Sequence, residues 1–218
     1  MIQTRFQEVE QSGNIIPYTI ERGMNWIHGK FFKRSFLEDN DLTFKDGLET
    51  HEDIYFSILT RLATTHAGAP ILECDLITYN WFNRPDSLSH ARETGLDLFE
   101  GHFDDYVMSA FGPVVKLKDT LSQDEKISQC LSVILFIYFY MEGFQQLGRT
   151  NHERDMKILS ETIKKTCEIC ELTPQLICQI IYQNPATYCM IREKSFESVG
   201  PFFEFDSLER IILDTEEK

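Results

Sequence analysis

The chain has 218 residues, of which 42% are hydrophobic and 26% charged, a composition that supports a folded core and excludes a largely disordered chain. Its formal net charge is −14, so it repels phosphate backbones, and sequence-independent nucleic-acid binding is disfavoured. The longest apolar run covers residues 131–141 and is shorter than the roughly 20 residues that a membrane span requires. The sequence therefore predicts a protein without a membrane span.

The first region, residues 1–95, alternates short apolar segments with turns and helices. Ile15–Ile20 predicts a short strand or an extended entry, and a helix is expected at about Phe31–Glu38. Asp39–Asp41 supplies the turn chemistry that ends this helix. A small strand is expected at Leu42–Phe44, followed by a turn at Lys45–Gly47.

The next predicted helix runs from about Glu52 to Thr64. Thr50 is the predicted N-cap, and Asp53 stands three residues later in the pattern of a capping box. The apolar positions of this helix form a single core-facing stripe that consists of Ile54, Ile58, Leu59 and Leu62. After a glycine-proline break, Ile71–Trp81 is rich in β-branched and aromatic residues and predicts a strand.

The second region, residues 96–218, is mostly helical by periodicity. Helices are expected at about 95–111, 123–147, 151–171 and 174–183. The fold class is therefore α/β, in the sense of an α+β chain with a large helical portion, and the predicted division into domains is 1–95 and 96–218.

The polar N-terminus has no apolar signal region, so a cytoplasmic location is expected and the six cysteines are interpreted as reduced thiols. Cys167 and Cys170 form a C-x-x-C motif inside a helical pattern. A zinc site would require a second pair or histidines at ligand spacing, and none follows in the sequence. These cysteines are predicted to be buried structural residues.

Three segments contain the candidate functional residues. Trp26–Leu37 contains Trp, Gly and Lys in a W-x-x-G-K pattern that leads into an aromatic and basic helix. Glu49–Phe56 places an E-D pair, Glu52 and Asp53, at the start of the next helix. Tyr79–His90 begins at the end of the predicted strand Ile71–Trp81 and contains an Arg and an S-x-S-H turn.

The order and spacing of these segments resemble the acceptor-side half of family-two glycosyltransferases with the GT-A fold. The resemblance covers about a third of the chain, residues 24–90, and implies a partial GT-A-like core followed by a helical region. It implies transfer of a sugar, with inversion, from a nucleotide-sugar donor to an acceptor hydroxyl. Such a reaction needs a base that removes the hydroxyl proton.

By this resemblance Asp53 is the base, and Glu52 orients the acceptor. A carboxylate at a helix N-terminus is held by backbone N–H groups, which also lower its pKa and weaken it as a base unless burial compensates. The alternative is that Asp53 only caps the helix and that Glu52 is a solvated first-turn acid, since capping boxes are common.

The resemblance also implies a set of substrate-binding residues and a metal ligand. Aromatic rings offer faces on which sugars stack, glycine permits close backbone approach, and basic groups neutralise a diphosphate. His90 is the implied ligand of a divalent metal, Mn²⁺ or Mg²⁺, which would also need carboxylates beside it. The implied substrate-binding residues are Trp26, His28, Gly29, Lys30, Tyr79, Arg84, Ser87 and Ser89. Each has a structural alternative as a core aromatic, a turn glycine or a solvated surface residue.

The chain departs from the family in one respect. The segment before Trp26 is too short for the βαβ half that holds the nucleotide and carries the D-x-D pair. The letters of Asp39–Asp41 match the D-x-D pattern, but they come after Gly29 and Lys30, which is the wrong order for the family. They stand at a predicted helix end and are interpreted as a turn. A second chain that supplies the nucleotide-binding half is therefore an expected partner.

Three hypotheses remain open on sequence alone. The first is an enzyme, a glycosyltransferase or a subunit of one. The second is a non-catalytic glycosyltransferase-like interaction module that needs a partner chain, because a half-core exposes sheet edge and apolar surface. The third is a helical scaffold built on residues 96–218.

Overall fold

The computed structural model describes residues 1–16, 27–48, 51–82, 97–146, 152–183 and 205–213. These residues form three strands and seven helices. The strands are β1 (Ile2–Val9), β2 (Lys30–Phe31) and β3 (Leu72–Phe82). The helices are α1 (Arg34–Asp39), α2 (Glu52–His66), α3 (Asp97–Leu117), α4 (Gln123–Gln146), α5 (His152–Cys170), α6 (Pro174–Gln183) and α7 (Phe205–Leu213). The described chain is thus a mixed α and β protein with a small sheet and a large helical portion.

The sheet has the order β2-β1-β3, with β1 in the centre. β1 pairs with β3 in parallel, from Ile2 opposite Leu72 to Val9 opposite Phe82, and with β2 antiparallel over two residues. The sequence prediction missed β1, because its eight residues contain only three apolar side chains and lack a regular alternation. Burial of Phe6 and Val9, together with two polar residues of the same strand, marks it as the centre of the sheet.

The connection from β1 to β3 contains α2, which is the centre of the first hydrophobic core. The predicted stripe is confirmed, but burial extends around most of the helix from Ile54 to Thr64. Leu42, Tyr55, Leu59 and Ala63 form one buried cluster, to which Phe36, Leu37, Leu48 and Leu117 add partly buried side chains. Gly112 of α3 admits the Tyr55 ring, because a Cβ there would lie 2.9 Å from a ring carbon of Tyr55.

Most of the predicted elements are confirmed, with shifts at their ends. The helix expected at Phe31–Glu38 begins only at Arg34, because Lys30–Phe31 pairs with β1 as a strand. The small strand expected at Leu42–Phe44 is wrong, since these residues lie in an irregular segment in which Leu42 is buried. Helix α3 extends past its expected end at residue 111 and contains Pro113. The extended segment expected at Ile15–Ile20 lies mostly outside the described residues, and Ile15 makes an isolated bridge to Val9.

The chain divides into two compact units, Met1–Leu121 and Ser122–Lys218. The division predicted from sequence lies at about residue 95, where the helical periodicity starts. The division into compact units lies later, because α3 packs on α2 and so belongs to the first unit.

The second unit is an all-helical assembly in its described part. α4 packs on α5, and α6 packs on α7. Its core consists of fully buried side chains, among them Ile134, Ile137, Leu159, Ile163, Ile177, Leu208 and Ile212. Cys167 and Cys170 lie in α5, which confirms the helical setting predicted for the C-x-x-C motif. Cys170 is buried as predicted, whereas Cys167 is only half-buried. The five cysteines among the described residues carry free thiols.

The junction between β1 and the segment that precedes β2 depends on a glycine. Gly29 has φ +69, and a Cβ there would lie 2.8 Å from Thr4 Oγ1 and 3.1 Å from the Thr4 carbonyl oxygen. Both the positive φ and the lack of space therefore exclude a side chain. The glycine lies against β1, so the sheet gives it a structural role.

We expect Gly29→Ala to destabilise the first unit by about 3 kcal/mol, because left-handed strain and a clash with Thr4 add together. Gly47→Ala is the matched control, since Gly47 has φ +84 but no heavy atom lies within 4 Å of the position that an alanine Cβ would occupy. That control should cost only about 1 kcal/mol. Chemical denaturation of both variants measures the difference, and equal losses would show that the contact with Thr4 contributes nothing.

Candidate active site

The segment His28–Lys30 is fixed to the centre of the sheet by Thr4 of β1. The Thr4 amide donates to the Gly29 carbonyl oxygen at 2.8 Å, and the Thr4 hydroxyl donates to the same oxygen at 2.7 Å. The Thr4 hydroxyl also shares a hydrogen bond with the hydroxyl of Thr78 on β3. Three separate parts of the sequence therefore meet at one buried threonine, and this contact positions the residues on either side of Gly29.

The ring of His28 is held between two aromatic side chains. It stacks on Tyr79 with a centroid distance of 4.6 Å and an interplanar angle of 6°, and it meets Phe6 edge-on at 5.5 Å. Phe6 and Tyr79 are register partners on β1 and β3. One face of the Tyr79 ring is thus covered by His28, so a sugar could stack only on the other face.

Asp53 lies in the first turn of α2 and is half-buried. Its Oδ1 accepts a hydrogen bond from the Ile54 amide at 2.8 Å. Burial raises the pKa of Asp53, and this effect exceeds the lowering by the Ile54 hydrogen bond; Glu52 adds a smaller raising effect, while His28 and His51 lower it. The carboxylate is therefore a stronger base than an exposed aspartate, because desolvation disfavours its charged form.

The start of α2 differs from the predicted capping box. His51 is the N-cap, in the left-handed region with φ 63 and ψ 17, and makes no side-chain capping hydrogen bond. The prediction of Thr50 as the N-cap is therefore wrong; Thr50 itself lies outside the described residues. A non-glycine residue in this conformation carries local strain, which the surrounding structure must offset. The strained residue directly precedes the Glu52–Asp53 pair.

Lys30 and Arg61 are the basic side chains of the candidate site. Burial lowers the pKa of Lys30 to about 8; Asp53 opposes this shift and Arg61 reinforces it. The pKa of Arg61 is also lowered by burial. Sequence reasoning missed Arg61. The available signal was its position between Thr60 and Leu62, in a helix whose other members from Ile54 to Thr64 are all buried.

The structure thus brings together five of the residues proposed from sequence, namely His28, Gly29, Lys30, Asp53 and Tyr79. Glu52 lies beside Asp53 but is exposed. The other proposed residues, Trp26, Arg84, Ser87, Ser89 and His90, lie outside the described residues. Asp39–Asp41 forms the end of α1 and the turn after it, as predicted, and Asp41 accepts a hydrogen bond from Lys116 through its carbonyl oxygen at 2.6 Å.

A divalent metal does not fit the described part of the site. Mg²⁺ and Mn²⁺ favour several oxygen ligands, whereas Asp53 faces nitrogen groups from His28, Lys30 and His51. No group of three or more His, Cys, Asp or Glu residues suited to a metal occurs within the described ranges. Asp53, His28 and Lys30 themselves offer acid–base and electrostatic chemistry.

No family model, no curated protein and no solved structure matches this chain. Across the described segments, no helix is both long and apolar enough to cross a membrane.

The lowered pKa of Lys30 predicts a specific pH dependence of stability. The unfolded chain keeps this amine protonated up to its ordinary pKa, whereas the folded chain releases the proton from about pH 8 upward. The unfolded state therefore binds more protons in this window, so the contribution of Lys30 to the free energy of unfolding rises between pH 8 and about 10.

Denaturation of the wild type and of Lys30→Met at several pH values tests this expectation. The stability of the wild type should increase relative to that of the variant as the pH rises above 8. Lys33→Met, which removes an exposed neighbouring charge, should track the wild type. A constant difference between wild type and Lys30→Met would contradict the assignment.

Proposed function

We propose that the chain is a glycosyltransferase, or one subunit of one, that moves a sugar from a nucleotide-sugar donor to an acceptor hydroxyl with inversion. The observation that supports this most is the environment of Asp53, a half-buried carboxylate with a raised pKa beside His28 and Lys30. The sequence order of these residues resembles the acceptor side of a family-two, GT-A-type enzyme. We take the protein to be cytoplasmic.

In this proposal Asp53 accepts the proton of the acceptor hydroxyl as the hydroxyl oxygen attacks the anomeric carbon. The new bond is the carbon–oxygen glycosidic bond, and the bond that breaks joins the anomeric carbon to the leaving diphosphate oxygen. Desolvation favours the step, because the protonated carboxyl is neutral and better accommodated in a half-buried place. The Ile54 amide keeps Oδ1 fixed, which leaves Oδ2 as the oxygen that meets the hydroxyl.

The surrounding groups support this role in different ways. His28 is oriented by its stacking on Tyr79 and lies near enough to Asp53 to lower its pKa. Asp53 has a raising effect on the pKa of Lys30, and the positive charge of Lys30 stabilises negative charge that develops nearby. The donor half with its D-x-D pair and divalent metal, Mn²⁺ or Mg²⁺, is assigned in this proposal to a second chain.

Asp53→Asn should abolish sugar transfer, because the amide cannot accept the proton, while it retains an oxygen for the Ile54 amide. Its stability at neutral pH should equal or slightly exceed that of the wild type, because the substitution removes a half-buried charge. A carboxyl whose pKa is raised by folding destabilises the folded state at every pH above its pKa in the unfolded chain. Transfer from UDP-glucose to candidate acceptors, assayed together with the chain that supplies the donor half, measures the first effect, and thermal unfolding measures the second.

Glu52→Gln is the matched control for that experiment, since Glu52 is the adjacent but exposed acid. It should keep at least part of the activity. Full activity of the Asp53→Asn protein would remove Asp53 from the mechanism.

The second candidate is a non-catalytic glycosyltransferase-like module that binds a partner chain. It is favoured by β3, an 11-residue strand along which large apolar side chains are exposed. These are Leu72 at 55%, Leu76 at 67%, Ile77 at 44%, Tyr79 at 42% and Phe82 at 52%. Exposed apolar surface of this kind commonly marks an interface.

Leu76→Lys tests this candidate, because it places a charge on the most exposed of these positions without emptying the core. Sedimentation velocity of the wild type should reveal association, either with itself or with an added partner chain, that the variant loses. A wild-type chain that stays monomeric and binds no such chain would argue against the module.

A further inference from the structure

The C-x-x-C motif lies in the last turn of α5, and the end of this helix is strained. Glu171, the residue after Cys170, has φ 54, a left-handed conformation that residues other than glycine seldom adopt. The Leu172 amide donates to the Cys167 carbonyl oxygen at 3.0 Å, which is the bond that closes a Schellman motif. Because glycine usually occupies the left-handed position of that motif, a glutamate there makes the last turn of α5 costly to keep closed.

Cys130 of α4 lies against this helix end. α4 packs on α5, and the Gln123 side chain of α4 donates a hydrogen bond to the Cys170 carbonyl oxygen. Cys130 follows Gln123 by seven residues, which is nearly two helical turns, so both lie on the face of α4 that meets the end of α5. The thiols of Cys130 and Cys170 are hydrogen-bonded to each other, and both residues are 0% exposed. The two sulfur atoms are therefore direct neighbours in the core of the second unit.

The hydrogen bond between the two thiols makes them chemically unequal. It lowers the pKa of Cys170; burial opposes this effect less strongly, and Lys126 adds a small lowering effect. The same hydrogen bond, together with burial, raises the pKa of Cys130. Because the thiolate is the form that attacks an oxidant, Cys170 is the more reactive of the two. Part of the rise at Cys130 comes from the Cys170 thiolate, so it ends once Cys170 is oxidised.

Cys167 is a poorer disulfide partner for Cys170 than Cys130 is, although it belongs to the same motif. Residues three apart in a helix have Cβ atoms about 5–6 Å apart, whereas a disulfide requires about 3.5–4.5 Å. A bond between Cys167 and Cys170 would therefore distort α5. Cys130 approaches Cys170 from another helix and already contacts its sulfur.

We propose that Cys170 and Cys130 are a peroxide-reactive pair, which is oxidised to a disulfide when the strained last turn of α5 opens. The Cys170 thiolate attacks one oxygen of the peroxide, the O–O bond breaks, and Cys170 becomes a sulfenic acid while hydroxide leaves and is protonated to water. The Cys130 sulfur then attacks the Cys170 sulfur, the S–O bond breaks, and a second water leaves with the Cys130 proton. Two thiols thus lose two electrons and two protons, and hydrogen peroxide is reduced to two waters. The inference concerns the second unit alone and does not rest on the proposed function.

Opening of the helix end explains how a peroxide reaches a buried sulfur. Helix ends open locally at a lower free-energy cost than the interior of a unit does. The strain at Glu171 is released in the open form, which lowers this cost further.

Treatment of the full chain with a small molar excess of hydrogen peroxide tests the proposal. The remaining thiols are then alkylated, and peptides are mapped by mass spectrometry without reduction. We expect a disulfide between the Cys130 and Cys170 peptides, which dithiothreitol reverses. The oxidised chain should also unfold about 5 °C or more above the reduced chain, because the bond closes a loop between two helices.

Four variants separate the roles of the residues. Cys130→Ser should stop at a Cys170 sulfenic acid, which dimedone traps, whereas Cys170→Ser should leave Cys130 unoxidised. Cys167→Ser is the matched control, since it removes the half-buried thiol of the motif, and it should form the wild-type disulfide. Glu171→Gly should slow oxidation about fivefold, because glycine relieves the strain and keeps the helix end closed. Circular dichroism verifies that each variant is folded.

Three results with the folded chain would overturn the proposal. They are absence of a disulfide between Cys130 and Cys170 in the wild type, a disulfide between Cys167 and Cys170 in its place, and oxidation that occurs only in denaturant. An unchanged rate in the Glu171→Gly protein would overturn access through the last turn of α5.

Discussion

The contact between Thr4 and Gly29 is the constraint on which the candidate site depends. Two hydrogen bonds from one residue of the central strand converge on a single carbonyl oxygen, and the absence of a side chain at Gly29 lets the two backbones approach. His28 and Lys30 are the neighbours of that glycine, so their positions follow from this contact. A change at Thr4 of β1 would therefore reach the site through the backbone of Gly29.

Desolvation gives the site its chemical character. It acts in opposite directions on the two signs of charge, raising the pKa of Asp53 and lowering those of Lys30 and His28. The result is a group of side chains whose charged forms are all less favourable than in water. Such a group responds to a ligand, because a bound anion or a transferred proton changes the balance more than it would at the surface.

The parts of the fold that the sequence predicted are those determined by local pattern. The stripe of α2 repeats with helical period, and the β-branched and aromatic residues of β3 are contiguous, so both elements could be placed to within a few residues. β1 could not, because its position in the centre of the sheet comes from pairing with residues about 70 positions away. For the same reason Asp53 and Lys30 were identified from spacing within motifs, whereas Arg61 was not. Its charge becomes significant only when β2 is folded against α2.

The parallel pairing of β1 with β3 also has a consequence for how the chain acquires its structure. Gln7 and Asn80 hydrogen-bond through their side chains across a sequence separation of 73 residues. β1 leaves the ribosome before β3 and must wait for it before their parallel ladder can form, and closing so long a loop costs entropy that local contacts cannot repay in advance. During synthesis the antiparallel partner β2 offers only two residues of pairing. We therefore expect the first unit to fold more slowly than its helical content implies, with an interval in which β1 is synthesised but unpaired and open to aggregation.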